Sequence, residues 1–167
     1  VAYHEAGHAI MSLILNRPIS RISIKGMTSG VGGAVFQTDS NSVFQTKADM
    51  EEQIMIAYSG RVSEEIKYGK ENVTQGASND ITQATKLLML YVGKYGFDNE
   101  TGLIDYDVFS ETSFTQNENL LKRVSSISNG LYFKTLTALR NEYNKVEKLA
   151  QKILKTKTMS GEEVKKL

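Results

Sequence analysis

VAYHEAGHAIMSLILN, residues 1–16, holds both histidines of the 167-residue chain, His4 and His8. Read at helical period, Ala6, Ala9, Ile10, Leu13 and Ile14 fall on one apolar side. Pro18 limits the segment, because a proline pushes the residue before it out of helical backbone. On such a helix His4 and His8 stand one turn apart and point the same way, so both imidazoles reach a single ion. Glu5 lies too far round the helix to be a third ligand beside them, yet it reaches a water on that ion. HExxH on a helix is the pattern in which two histidines bind zinc and the glutamate is a general base. The plainer reading is two ordinary helix-face histidines. Against it stands the placement of the whole histidine complement in one turn.

A catalytic zinc takes three protein ligands and keeps a fourth position open for water. The chain has no third histidine and no cysteine, so the third ligand must be a carboxylate. The extended motif HExxHxxGxxH is excluded, since Met11 and Ile14 occupy its later positions. Glu64 and Glu65, in SEEI, are candidates on a second helix. Asp80, in TQGASNDITQAT, is a third. Each has a simpler explanation. Glu64 and Glu65 suit a solvated helix face. Ser78, Asn79 and Asp80 are all good N-caps, and Asp80 to Gln83 has capping-box spacing. Residue type and spacing leave the three carboxylates open.

The rest of the chain reads as mainly α, a helical bundle with a small β element near the active site. RISIK (21–25) alternates as a short strand, and AVFQT (34–38) follows as another after the glycine-rich GMTSGVGG (26–33). Helical stripes run from Lys47 to Tyr68, with Gly69 placed to stop the helix, and roughly from Asn79 to Lys94. GFDNETGLIDYDVFSETSF (96–114) is acidic and irregular. Helical period returns from about Asn117 to Lys155, with breaks expected at Gly130 or in RNEYN (140–144). A Ser160–Glu163 capping box opens a last helical turn.

The length suits one domain, residues 1–167, with a core of its own. A formal net charge of +1 gives no pull toward nucleic acid or anionic membrane. The absence of cysteine excludes disulfides, thiolate zinc sites and a cysteine nucleophile, and it suits a reducing compartment. No apolar run reaches membrane-spanning length. With no initiator methionine and a motif at the very start, the chain reads as a fragment of a longer one.

HEAGHA, GRVSEEIKYG, TQGASNDITQAT, KYG, TGL and MSGEEV occur in that order across essentially the whole chain. Together they resemble the peptidase domain of the FtsH family, membrane-anchored ATP-dependent zinc proteases. The resemblance implies that His4 and His8 are zinc ligands, that Glu5 is the catalytic base, and that the third ligand is the aspartate of the GAxxD segment, Asp80. It implies one zinc per chain, a homohexameric ring beneath AAA ATPase domains, and protein substrates. It also implies an extended substrate paired with the strand at Ala34, Val35 and Phe36. The parent protein would sit in a membrane, with this domain on the cytoplasmic or an equivalent reducing side. ATP would enter only through an ATPase domain, since no GxxxxGK[ST] loop occurs here. GMTSGVGG departs from the family pattern in its extra glycine, which touches substrate preference and not the zinc site. Two other readings remain: a free-standing zinc peptidase using Glu64 or Glu65, and a non-catalytic ring-forming domain.

Overall fold

A computed structural model describes residues 1–25, 33–37, 44–109 and 117–167. Most of the GMTSGVGG segment therefore lies outside the described residues, as do Thr38 and residues 110–114. The first helix, α1, spans Ala2–Ile14. It ends where Asn16 takes a left-handed conformation (φ 55°), which asparagine tolerates better than most residues. The second, α2, spans Lys47–Tyr68, the limits expected from its stripe. Thr46 and Asp49 close a capping box at its start, with bonds of 3.1 and 2.8 Å. Asp49 and Glu52 also take the Arg17 guanidinium, tying the exit of α1 to the entry of α2.

These two helices lie unusually close. A Cβ at Gly7 would overlap the Ser59 carbonyl and the Ser63 side chain. Ser63 Oγ donates to the Tyr3 carbonyl at 2.6 Å. The small residues of α2 thus let its backbone approach the histidine-bearing turn of α1. Helix α3 spans Ser78–Gly93, after a short 3-10 turn at Gln75–Ala77. Helices α4 (Glu118–Asn141) and α5 (Tyr143–Thr156) form the helical tail. The break falls at Glu142, inside RNEYN. Gly130 does not interrupt α4, because Leu131, Leu136 and Leu139 continue the buried stripe past it. Burying them outweighs a glycine cost of roughly 0.5–1 kcal/mol. Ile10, Met11, Ile54, Val62, Leu139, Leu149 and Ile153 meet in the core.

The sheet is antiparallel, ordered β2-β1-β3, with β1 at Ile19–Ser23, β2 at Ala34–Gln37 and β3 at Thr158–Ser160. β1 begins two residues before the alternating RISIK. A bulge between Ile19 and Arg21 leaves Ser20 and Arg21 both exposed, while Ile19 and Ile22 stay buried. β3 is an element that sequence analysis did not anticipate. It pairs Met159 with Ile22 and runs straight into the expected Ser160–Glu163 capping box and α6, Gly161–Lys165. Among the described residues β2 pairs only with β1, so its outer edge carries no strand.

Candidate metal centre

α1 presents His4 and His8 to the N-terminal turn of α3, and Asp80 comes up to meet them. His4 Nε2 lies 3.1 Å from Asp80 Oδ2, His8 Nε2 lies 3.4 Å from the same oxygen, and the two Nε2 atoms are 3.0 Å apart. Three tetrahedral ligands at about 2.0–2.2 Å from an ion would be about 3.3–3.6 Å from one another. A slight opening of the observed triangle meets that requirement.

The outer nitrogens explain why the triangle calls for a cation. His8 Nδ1 donates to the Ile56 carbonyl at 2.8 Å. His4 Nδ1 faces Glu64 Oε1 at 3.2 Å. The proton on His8 Nδ1 leaves its Nε2 as a lone pair, which converges with His4 Nε2 on the Asp80 carboxylate. Acceptor atoms converging this closely repel unless a proton or a positive ion sits among them. The donor set of two imidazoles and one carboxylate suits zinc.

Electrostatics point the same way. Burial would raise the pKa of Asp80, but its contacts with the His4 and His8 imidazoles override it and hold the carboxyl well below its ordinary range. Burial would lower His8, yet the Asp80 carboxylate raises it overall. Glu5 is buried beside the triangle and its pKa is raised, chiefly by burial, against the pull of His8 and His4.

The competing roles for the carboxylates separate cleanly. Asp80 is not the N-cap of α3. That position belongs to Ala77, which makes no side-chain cap bond, and Asp80 sits in the first turn with its carboxylate on the histidines. Glu64 is buried and meets the other nitrogen of His4, while its second oxygen accepts from Thr74 N and Oγ1 at 3.3 Å. Glu65 points elsewhere, accepting from the Tyr132 hydroxyl. Among the described residues, His4, His8 and Asp80 are the group of this kind that converges on one point.

A cavity of about 490 Å³ opens over this centre. His4, Glu5, His8 and Asp80 line it together with Gly33, just before β2, with Ala34 and Val35 of β2, and with Gln53, Ile56 and Ala57 from α2. Phe36 does not line it. Its ring lies under the Arg21 guanidinium, 4.2 Å from the ring centre, and its carbonyl accepts from Ser20 Oγ. Two glycines bound the centre closely. A Cβ at Gly60 would lie 2.6 Å from Nε2 of both histidines, and one at Gly33 would lie 2.7–2.9 Å from Cγ, Oε1 and Cδ of Glu5.

Comparison with known proteins matches the model of peptidase family M41 over residues 1–167. The chain belongs to peptidase family M41. It is 33% identical over 99% of its length to ATP-dependent zinc metalloprotease FtsH 1 of Alkaliphilus metalliredigens, of which the match covers 28%. It is 32% identical over its full length to the FtsH metalloprotease of Leptotrichia buccalis, covering 22% of that protein. A YME1 homolog of Caenorhabditis elegans is 28% identical over 99% of the chain, with 24% of its own length covered. The chain thus spans under a third of the curated relatives it matches. Membership places this mainly helical domain, with its small antiparallel sheet, in a peptidase family, and the matched relatives are named as ATP-dependent zinc metalloproteases.

Sequence reasoning isolated the histidine pair and Glu5, and it reached Asp80 only through the resemblance. It weighed Glu64 as a third ligand, whereas the crossing of α2 over α1 sets that carboxylate against Nδ1 of His4. Gly33 and Gly60 entered only as letters of GMTSGVGG and GRVSEEIKYG, and packing is what reveals the closeness of each to the centre.

Proposed function

We propose that this domain hydrolyses peptide bonds, with one zinc ion per chain held by His4, His8 and Asp80 and with Glu5 as general base. The observation that carries the reading is the triangle of Nε2, Nε2 and Oδ2 atoms, with the buried Glu5 carboxyl beside it in one open cavity. Zinc bound there would lower the pKa of a bound water to about 7 and polarise a peptide carbonyl. Glu5 takes the proton as the water attacks, then delivers it to the leaving amine. The Ile56 carbonyl orients the His8 imidazole through its Nδ1 proton, and the Glu64 carboxylate stands 3.2 Å from His4 Nδ1. The edge of β2 that pairs with no strand among the described residues supports the docking of an extended chain through main-chain hydrogen bonds at Ala34 and Val35, which suits cleavage with little sequence preference.

In its parent protein the domain would work in a homohexamer on unfolded or membrane proteins delivered by an AAA ATPase. The names of the relatives, ATP-dependent zinc metalloproteases, support that coupling. Among the described residues no helix is long and apolar enough to cross a membrane, so anchorage would come from other segments, with this domain on the cytoplasmic or an equivalent reducing side. A free-standing peptidase with Glu64 or Glu65 as third ligand draws no support from the positions of those side chains.

The test is Glu5→Gln in the full-length protein. Zinc content should equal that of the parent, while casein hydrolysis falls by at least about 100-fold, within the range for loss of a general base. Parent-like hydrolysis would remove Glu5 from the reaction. Loss of zinc would make it a ligand.

A further inference from the structure

We propose that Gly60 and Gly33 are positioning residues with separate tasks: Gly60 makes room for the metal-binding nitrogens and Gly33 makes room for the carboxylate of the base. The inference rests on the zinc-peptidase reading and assigns it two residues outside α1, one in α2 and one just before β2. Gly60 lies in the middle of α2, a 22-residue helix, where nothing in the backbone calls for glycine. Alanine there would raise intrinsic helix stability. Packing forbids it. The Cβ would stand 2.6 Å from His4 Cε1, His4 Nε2 and His8 Nε2, the atoms that face the metal position. Such contacts are far inside van der Waals distance, so one imidazole must turn. His8 cannot turn without giving up its bond to Ile56, nor His4 without leaving Glu64. Any adjustment therefore reaches the ligand triangle first.

Gly33 bears on the neighbouring group. Its Cβ would stand 2.7, 2.8 and 2.9 Å from Glu5 Cγ, Oε1 and Cδ. All three of these nearest atoms belong to Glu5. A methyl group at 33 displaces the proton carrier and leaves the ligands alone, whereas a methyl group at 60 displaces the ligands. Gly130, in the middle of α4 with open space around its missing Cβ, is an internal standard for a helical glycine without this role.

The experiment compares Gly60→Ala, Gly33→Ala and Gly130→Ala with the parent in the full-length protein. Zinc affinity is read by competition with a chelator. Ligand geometry is read from the visible absorption of the cobalt-substituted protein. Turnover is measured at saturating casein with zinc in excess, and the melting temperature is taken without metal. Gly60→Ala should lose at least about tenfold in zinc affinity and change the cobalt spectrum, while its metal-free melting temperature is held or raised. Gly33→Ala should bind zinc and show the cobalt spectrum as the parent does, with kcat at least about tenfold lower. Gly130→Ala should match the parent in all of these except a higher melting temperature. Parent-like zinc affinity and spectrum in Gly60→Ala would overturn the proposal, as would parent-like kcat in Gly33→Ala. Equal loss of zinc in both variants, or a collapsed metal-free fold in Gly60→Ala, would reduce the glycines to general packing and overturn it as well. A parent that binds no zinc would instead contradict the underlying peptidase reading.

Discussion

The neighbours of His4 divide by the nitrogen they meet. Asp80 and His8 face Nε2, and Glu64 faces Nδ1. A carboxylate on the outer nitrogen fixes the ring and raises its basicity, and removing such a partner from a metal site costs roughly 10–100-fold in affinity. Glu64→Gln keeps the shape and an accepting oxygen but loses the charge, so its zinc affinity should fall by about tenfold, the lower end of that range. Glu65→Gln, whose carboxylate serves Tyr132, should leave zinc affinity as it is. Chelator competition measures both. A loss in Glu64→Gln as deep as that of a direct ligand would place Glu64 on the ion. At this scale, the part of the site contained in one helical turn was legible from spacing. The part supplied by α2 and α3 was not, since a carboxylate's role follows from which atom it approaches.

Among the elements, the segment between α3 and α4 shows how an irregular stretch is held. Asp98 is buried and takes the Arg123 guanidinium through two bonds, 3.0 Å from Nε and 2.7 Å from Nη2, while Thr101 donates to the same carboxylate. The Arg123 guanidinium holds the Asp98 carboxyl below its ordinary value of 3.8. A depressed folded-state pKa stabilises the fold fully above the unfolded value, and that contribution is lost as pH falls through the folded one. Asp98→Asn should therefore cost about 1.5–3 kcal/mol near neutral pH. The gap from the parent should shrink in acid, below the ordinary value of 3.8. Urea unfolding of the two proteins at both pH values checks this; equal midpoints at neutral pH would contradict it. Long helices such as α2 were legible because many residues repeat one period. β3 was not, since its three residues between a helix and a capping box show no alternation and take their structure from pairing with β1. The tail broke at Glu142 and not at Gly130, because the buried leucines on the C-terminal side of Gly130 set the helix there.

Taken whole, the molecule brings α1, α2 and α3 together so that residues 76 apart in sequence share one centre. It also leaves Leu103, Val108 and Phe109 exposed in the segment after α3. As a member of a proposed ring the domain should associate beyond a monomer. Light scattering over a concentration range should show the apparent mass rising toward a hexamer, and a strict monomer at high concentration would contradict the ring. The central claim is that α3 supplies the third zinc ligand, and Asp80→Asn separates a ligand from a helix cap. Asparagine caps a helix about as well as aspartate, but its neutral amide oxygen is a poor zinc ligand. Zinc titration of Asp80→Asn against a competing chelator, beside the parent, Glu64→Gln and Glu65→Gln, measures the difference directly. The account predicts a loss of at least about 100-fold in Asp80→Asn, larger than in either glutamate variant. Parent-like affinity in Asp80→Asn, with a large loss at Glu64 or Glu65, would contradict it.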